Sequence, residues 1–251
     1  MSLPAPANTR LLVSVEEALD RAKGFGKSMV TFSRGGTTHE RIGVIERVER
    51  DAESIRLSGA HHASRIVPSG IASIEADRST KMKDVFYPRL NFLDAAGETL
   101  FAVVGFEGLE PFNASLAGCA EEAVSVKETK QAPRAASSSE AAVAPLVFDA
   151  LQLAQQSGTE VVIRHAGNGF TQEWRGTIGE LRPAMGFINI INPDFHLHLK
   201  DGSLSAWRRE AEAEGREITF AAIDIDGKPT GLTISGEASA FAAQAENLTK
   251  G

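Results

Sequence analysis

Six histidines and a single cysteine are the side chains best suited to bind a metal or react as a nucleophile in this 251-residue chain. In Phe195-His196-Leu197-His198-Leu199-Lys200, strand alternation sends Phe195, Leu197 and Leu199 to one face. His196, His198 and Lys200 then share the other. Two histidines two positions apart on one strand face can reach the same metal ion. The polar side of a half-buried strand has the same pattern, so both readings stay open. A cupin-like metal site needs a glutamate shortly after the second histidine, and Gly202 and Ser203 stand there instead. His61 and His62 are neighbours just before Ala63-Ser64-Arg65-Ile66-Val67, so on a strand they face opposite ways and do not serve one site. Surface loop positions are expected for both.

His39, in Thr38-His39-Glu40-Arg41, can have its ring oriented by a carboxylate, while His165 stands beside Arg164 and the turn Gly167-Asn168-Gly169. That turn is no dinucleotide fingerprint, because strand-like rather than helical sequence follows it. No serine sits in a Gly-x-Ser-x-Gly frame. Cys119 falls within a predicted helix as a buried, inert thiol. One cysteine allows neither an intrachain disulfide nor a multi-cysteine zinc site.

The elements that would position these residues come in two similar series. Thr38-His39-Glu40-Arg41-Ile42-Gly43 aligns with Thr171-Gln172-Glu173-Trp174-Arg175-Gly176 at an offset of 172 − 39 = 133 residues. The same offset places Arg65 on His198 and Ile74 on Trp207. Leu93-Asp94-Ala95-Ala96-Gly97 matches Ile223-Asp224-Ile225-Asp226-Gly227 at 224 − 94 = 130. Two motifs in one order, at nearly one spacing, indicate a duplication. Gln172 stands where His39 does in the first series, which favours a structural role for His39.

Each series opens with a predicted helix. Ser14-Val15-Glu16-Glu17 carries a capping pattern, Leu19 and Ala22 extend the apolar stripe, and Gly24 is placed to end the helix in a left-handed conformation. Leu146 to Gln156 is the counterpart, closed by Gly158. Strands follow at Met29–Phe32 and Val161–Arg164, then glycine turns at Gly35-Gly36 and Gly167-Asn168-Gly169. Hairpins are expected at Ala96-Gly97 and Asp226-Gly227, and closing helices over Pro111–Ala123 and Ala238–Asn247. The stretch from Lys127 to Pro145, with Pro133 and Ser137-Ser138-Ser139, reads as a linker. The expected fold is α+β: two tandem repeats, 1–126 and 145–251, joined by 127–144. Each is an antiparallel sheet with flanking helices, and the pair is related by a pseudo-two-fold.

A formal charge of −7 argues against a general nucleic-acid binder, and 42% hydrophobic residues suffice for a core. No apolar run reaches the roughly 18 residues of a membrane span, and the N-terminus has no signal-peptide pattern. A cytoplasmic protein without membrane insertion is expected.

Several segments together resemble the HemS/ChuX-type heme-utilisation family. Asn192-Pro193-Asp194-Phe195-His196-Leu197-His198-Leu199-Lys200-Asp201, followed by Trp207, resembles its Asp-Pro-Asp-Phe-Asn-Leu-His-Leu-Arg-Glu signature. Ile223-Asp224-Ile225-Asp226-Gly227 resembles the Phe-Asp-Ala-Asp-Gly hairpin. Thr38 to Val44 and Ser64 to Ser69 resemble first-copy segments. The resemblance implies a cytoplasmic heme-binding protein that carries, stores or degrades heme as an iron source. Arg65 and His198 fall on family positions in the heme site. Lys200, Arg208 and Arg209 are further cations for the propionates, and His198, His196, His61 and His62 are the candidate iron or metal ligands. An ABC-type heme importer, a reductase and a second copy of the chain are the implied partners. If the protein is an enzyme, it is a heme-degrading oxidoreductase. The family's axial histidine between the copies has no counterpart, since Gly118 to Pro145 contains no histidine. Glu210-Ala211-Glu212 also replaces a basic stretch. Two alternatives follow: a scaffold or regulatory binder of the same fold that has lost heme ligation, and a non-heme metal protein using His196 and His198.

Overall fold

The computed structural model describes residues 8–124, 145–210 and 217–241, and these gather into two compact units. Unit 1 comprises Met1–Phe32, Arg41–Pro133 and Asn168–Phe170; unit 2 comprises Ser33–Glu40, Arg134–Gly167 and Thr171–Gly251. The linker expected over 127–144, residues 242–247 of the last predicted helix, and Ala211-Glu212 lie outside the described residues.

Unit 1 begins with β1 (Asn8–Leu11) and α1 (Val15–Ala22), then β2 (Lys27–Arg34) and β3 (Thr37–Val44), whose connecting tip belongs to unit 2. Next come β4 (Arg47–Arg50), β5 (Ile55–Ser58), β6 (Ala63–Ile66) and β7 (Ser73–Asp77). The short pair β8 (Lys81–Met82) and β9 (Val85–Phe86) precedes β10 (Arg89–Leu93), β11 (Thr99–Gly105), α2 (Leu109–Ser115) and β12 (Glu121–Ala123). The strands order as β12-β1-β7-β10-β11-β2-β3, with a separate β6-β5-β4 meander. The pairs β1–β12, β1–β7, β7–β10, β10–β11, β11–β2, β4–β5 and β5–β6 are antiparallel.

Helix α1 forms where its cap and stripe place it. The Ser14 hydroxyl accepts the Glu17 backbone N–H at 3.1 Å, and Ala18, Leu19 and Ala22 are buried. The helix then tightens into a 3-10 turn over Lys23–Phe25, and the left-handed residue is Gly26 (φ +69°) rather than Gly24. Gly24 instead lies against the end of α2, where a Cβ would press on the Ser115 side chain. An aromatic cluster fills the core, with Phe92 stacked on Phe101 at 4.3 Å and Phe25 packed on Phe112 at 4.6 Å.

The closing helix expected over Pro111–Ala123 is shorter. It stops at Ser115, Gly118 turns the chain at φ +81°, and Glu121–Ala123 pairs as β12 with β1. Cys119 is therefore in a connection, partly exposed and not helical, with burial holding its thiol above the usual pKa. Tertiary bonds decide this departure. Glu121 takes an ion pair from the buried Arg78 at 3.0 Å and a hydrogen bond from the Thr9 hydroxyl at 2.6 Å.

Unit 2 contains α3 (Pro145–Ser157), β13 (Val161–Gly167), β14 (Phe170–Gly176), β15 (Glu180–Ala184), β16 (Phe187–Asn192), β17 (Phe195–Lys200), β18 (Leu204–Arg209), β19 (Glu217–Asp224) and β20 (Pro229–Glu237). The strands order as β18-β19-β20-β13-β14, and as β15-β16-β17 continued by the first half of β3. The pairs β13–β20, β15–β16, β16–β17, β18–β19 and β19–β20 are likewise antiparallel. Gly158 (φ +62°) ends α3, and Gly227 (φ +77°) turns the last hairpin as its sequence requires. The Trp207 indole donates to the Val147 carbonyl at 3.2 Å, fixing α3 to β18, and Trp174 stacks on Phe195 at 4.4 Å. After β20 a 3-10 turn covers Ala238–Phe241. The fold is α+β, built mainly of antiparallel sheet, and no helix among the described residues is long and apolar enough to cross a membrane.

Candidate metal and ligand-binding residues

Strand β17 alternates as its sequence demands. Phe195, Leu197 and Leu199 are buried, His196 and His198 are half-buried, and Lys200 is exposed. In β3, Thr37 and His39 are buried while Thr38 and Glu40 are half-buried. The Lys200 backbone N–H donates to the Gly36 carbonyl at 2.8 Å, which draws the start of β3 along β17. Glu40 thereby meets both histidines. Its Oε2 lies 3.3 Å from His196 Nδ1 and 3.5 Å from His198 Nε2. Burial would raise the Glu40 carboxyl, but hydrogen bonds from His196 and His198 outweigh that and hold it at about 2. The carboxylate that the local spacing lacks is thus supplied by a strand 196 − 40 = 156 residues earlier.

The second nitrogen of His198 is also engaged. Its Nδ1 lies 2.7 Å from Asn189 Oδ1, directly across the β16–β17 pair. The Asn189 amide nitrogen faces the carbonyls of Arg182, Ala184 and Phe187 at 3.2–3.3 Å. An oxygen in that place would set acceptor against acceptor, so Oδ1 faces His198 and Nδ1 of the ring must donate.

His39 is fully buried, edge-on to Phe195 at 4.9 Å, and its carbonyl accepts from Gln172 Nε2 at 3.0 Å. This bond reaches the backbone of His39 and not its ring. His165 is fully buried too, and burial together with the nearby Arg34 charge lowers its pKa to about 3.

In unit 1, residues 61–66 alternate between exposed and buried, so His61, Ala63 and Arg65 face solvent while His62, Ser64 and Ile66 face inward. The two neighbouring histidines diverge as expected, but His62 is no surface residue: it is 2% exposed. Burial lowers its pKa to about 4, against the opposing hydrogen bond between Nε2 and the Gly43 carbonyl at 3.2 Å. The backbone folds this way because Gly43 leaves room for His61, whose ring would collide with any Cβ there. Arg65 pairs across β5–β6 with Arg56, also exposed. Sequence reading did not single out Arg56, since only the strand register sets it beside Arg65.

Of the remaining expected cations, Arg208 is exposed and Arg209 half-buried on β18. Arg65 and Arg56 therefore lie together in unit 1, while His196, His198, Lys200, Arg208 and Arg209 lie in unit 2. Exposed guanidinium groups suit heme propionates, which they can hold through two parallel hydrogen bonds. His198 fits heme iron less directly, because heme would have to displace Glu40 from its Nε2 while Nδ1 stays on Asn189. A concavity between Val147, Ile188, Leu199 and Leu204 holds only about 10 Å³, about the space of one water and far short of a small-molecule pocket.

No protein-family model matches the sequence, and no curated protein matches it. Solved structures do match the fold. The Escherichia coli heme oxygenase ChuS is 16% identical and superposes with a TM-score of 0.75, covering 97% of this chain and 89% of that one. Improved coordinates for ChuS of Escherichia coli O157:H7, a heme degrading enzyme, give a TM-score of 0.77 at 17% identity, covering 96% and 87%. Holo-PhuS, a heme-binding protein from Pseudomonas aeruginosa, gives 0.74 at 18% identity, covering 97% and 87%. The chain has the fold that ChuS and PhuS share, and the HemS/ChuX-type resemblance of its motifs is matched at that level.

Proposed function

We propose that this protein binds heme and serves heme utilisation, carrying, storing or degrading heme as a source of iron. The observation that carries the reading is the fold match over 96–97% of the chain to structures described as heme-binding or heme-degrading proteins. Fold alone does not assign a function, so the site residues bear the rest. In unit 1 the exposed face of β5 and β6 offers Arg56 and Arg65 for propionates, with the exposed His61 on the same alternation as an iron ligand. His62 is too buried to reach a ligand. In unit 2, Lys200, Arg208 and Arg209 supply further positive charge. When bound, heme supplies the iron and any oxygen chemistry, and the protein's part is to hold and orient it.

The proposal extends to a cytoplasmic location, an ABC-type heme importer or a reductase as partner, and a homodimer. It also includes the tandem duplication with its pseudo-two-fold, bounded as 1–126, 127–144 and 145–251. Supporting the duplication, β7-β10-β11-β2-β3 in unit 1 and β18-β19-β20-β13-β14 in unit 2 have the same order, and each unit adds a three-stranded meander. Thr38-His39-Glu40 and Thr171-Gln172-Glu173 also share one burial pattern.

A second reading, a binder of the same fold without heme ligation, is favoured by the lack of histidine from Gly118 to Pro145. Hemin titrations of Arg65→Ala, Arg56→Ala and His61→Ala, followed at the Soret band, separate the two. The heme reading predicts affinity losses of about tenfold or more for Arg65→Ala, since charge-assisted hydrogen bonds contribute roughly 1.5–3 kcal/mol. It also predicts a displaced band for His61→Ala. Variants indistinguishable from the parent in both respects would remove these residues from the site.

A further inference from the structure

We propose that Glu40, His196 and His198 form a mononuclear site for a divalent first-row transition metal ion, separate from any heme. The three are the group among the described residues whose ligand atoms lie mutually within 4.8 Å. Imidazole and carboxylate together suit zinc, iron, cobalt and nickel, and two histidines with one carboxylate leave coordination positions open.

The distances fit such an ion. With metal–nitrogen and metal–oxygen bonds of about 2.0–2.1 Å, ligand atoms at the corners of a tetrahedron stand about 3.3–3.4 Å apart. The two Glu40–histidine separations are 3.3 and 3.5 Å. The nitrogen pair, at 4.8 Å or less, closes to the same edge by rotation of rings that are 27–29% exposed. That exposure leaves the fourth position to water.

The support around the ligands favours a metal as well. Asn189, fixed by three backbone carbonyls, receives the Nδ1 proton of His198. In a neutral imidazole this leaves the lone pair on Nε2, aimed at Glu40 Oε2. Lone pair against carboxylate is repulsive without a cation between them. An imidazolium relieves this with a proton, and a metal ion relieves it with a bond. Metal-ligating histidines commonly donate their other N–H to such an oxygen, which sets tautomer and ring orientation. All four residues lie in unit 2 on three strands of one sheet, β16, β17 and β3, so rigid backbone positions the set.

The test is equilibrium dialysis of the untagged, heme-free full chain against Zn²⁺, with metal quantified per chain, followed by X-ray absorption at the zinc edge. One equivalent with mixed imidazole and oxygen ligation is expected. Glu40→Gln and His198→Ala should each abolish that equivalent. Asn189→Ala should weaken it about 10–100-fold, and Asn189→Asp, which restores the acceptor, should recover it. His61→Ala should leave it unchanged. Circular dichroism confirms that each variant is folded, and the near-isosteric Glu40→Gln keeps the test decisive if His198→Ala is not. Absence of bound zinc, or zinc retained in full by folded Glu40→Gln, overturns the proposal. Neither result bears on hemin binding, which is read separately.

Discussion

Burial sets the charge of two histidines in this chain, and that has a consequence for stability. His62 and His165 titrate near 6.5 when unfolded but are held at about 4 and about 3 when folded. Between those values the unfolded chain binds protons that the folded chain refuses. Their contribution is therefore complete above pH 6.5 and is lost as pH falls toward the folded values, by roughly 3–5 kcal/mol each at full extent. Glu40, held at about 2 against an ordinary 4.5, is a carboxylate: its contribution is complete above pH 4.5 and is lost only below it. Urea unfolding between pH 7 and pH 5 should thus show falling stability, and His62→Gln should flatten the fall. A parent and a variant with the same pH dependence would contradict this account of His62. Residue types and alternation made His196, His198 and the divergence of His61 and His62 legible in the sequence. Glu40 and Arg56 were not legible as site residues, since a third ligand 156 positions away and a cross-strand arginine are set by sheet register.

The elements were read best where the signal is local. The Ser14 cap, the ends of α3 and the glycine hairpins each follow from a few neighbouring residues. β12 did not, because Arg78, Thr9 and strand β1 recruit Glu121–Ala123 from elsewhere in the sequence. Gly231 within β20 is a further position that only the fold explains. It takes φ +91°, and a Cβ there would stand 2.0 Å from the Ala166 carbonyl of the neighbouring strand. Gly231→Ala combines a disfavoured backbone with a backbone clash, so it should destabilise by more than about 1 kcal/mol. At this chain length that lowers the thermal midpoint by at least roughly 2–4 °C. A midpoint equal to the parent's would mean β20 shifts freely, contrary to its pairing with both β13 and β19.

At the scale of the molecule, the signature segments pointed to the fold, an antiparallel α+β one, that superposition on ChuS and PhuS finds at 16–18% identity. Overall sequence identity that low carries little of this. The information lies in positions that fix the sheets: Trp174 stacked on Phe195, Trp207 tied to α3, and glycines at positive φ. Function is less strongly encoded, because Gly118 to Pro145 contains no histidine and His196 and His198 face Glu40. The most direct measurement is a titration of the purified full chain with hemin, read at the Soret band. The account predicts a shifted band that saturates at a defined ratio of hemin to protein. A featureless rise no different from free hemin would contradict it.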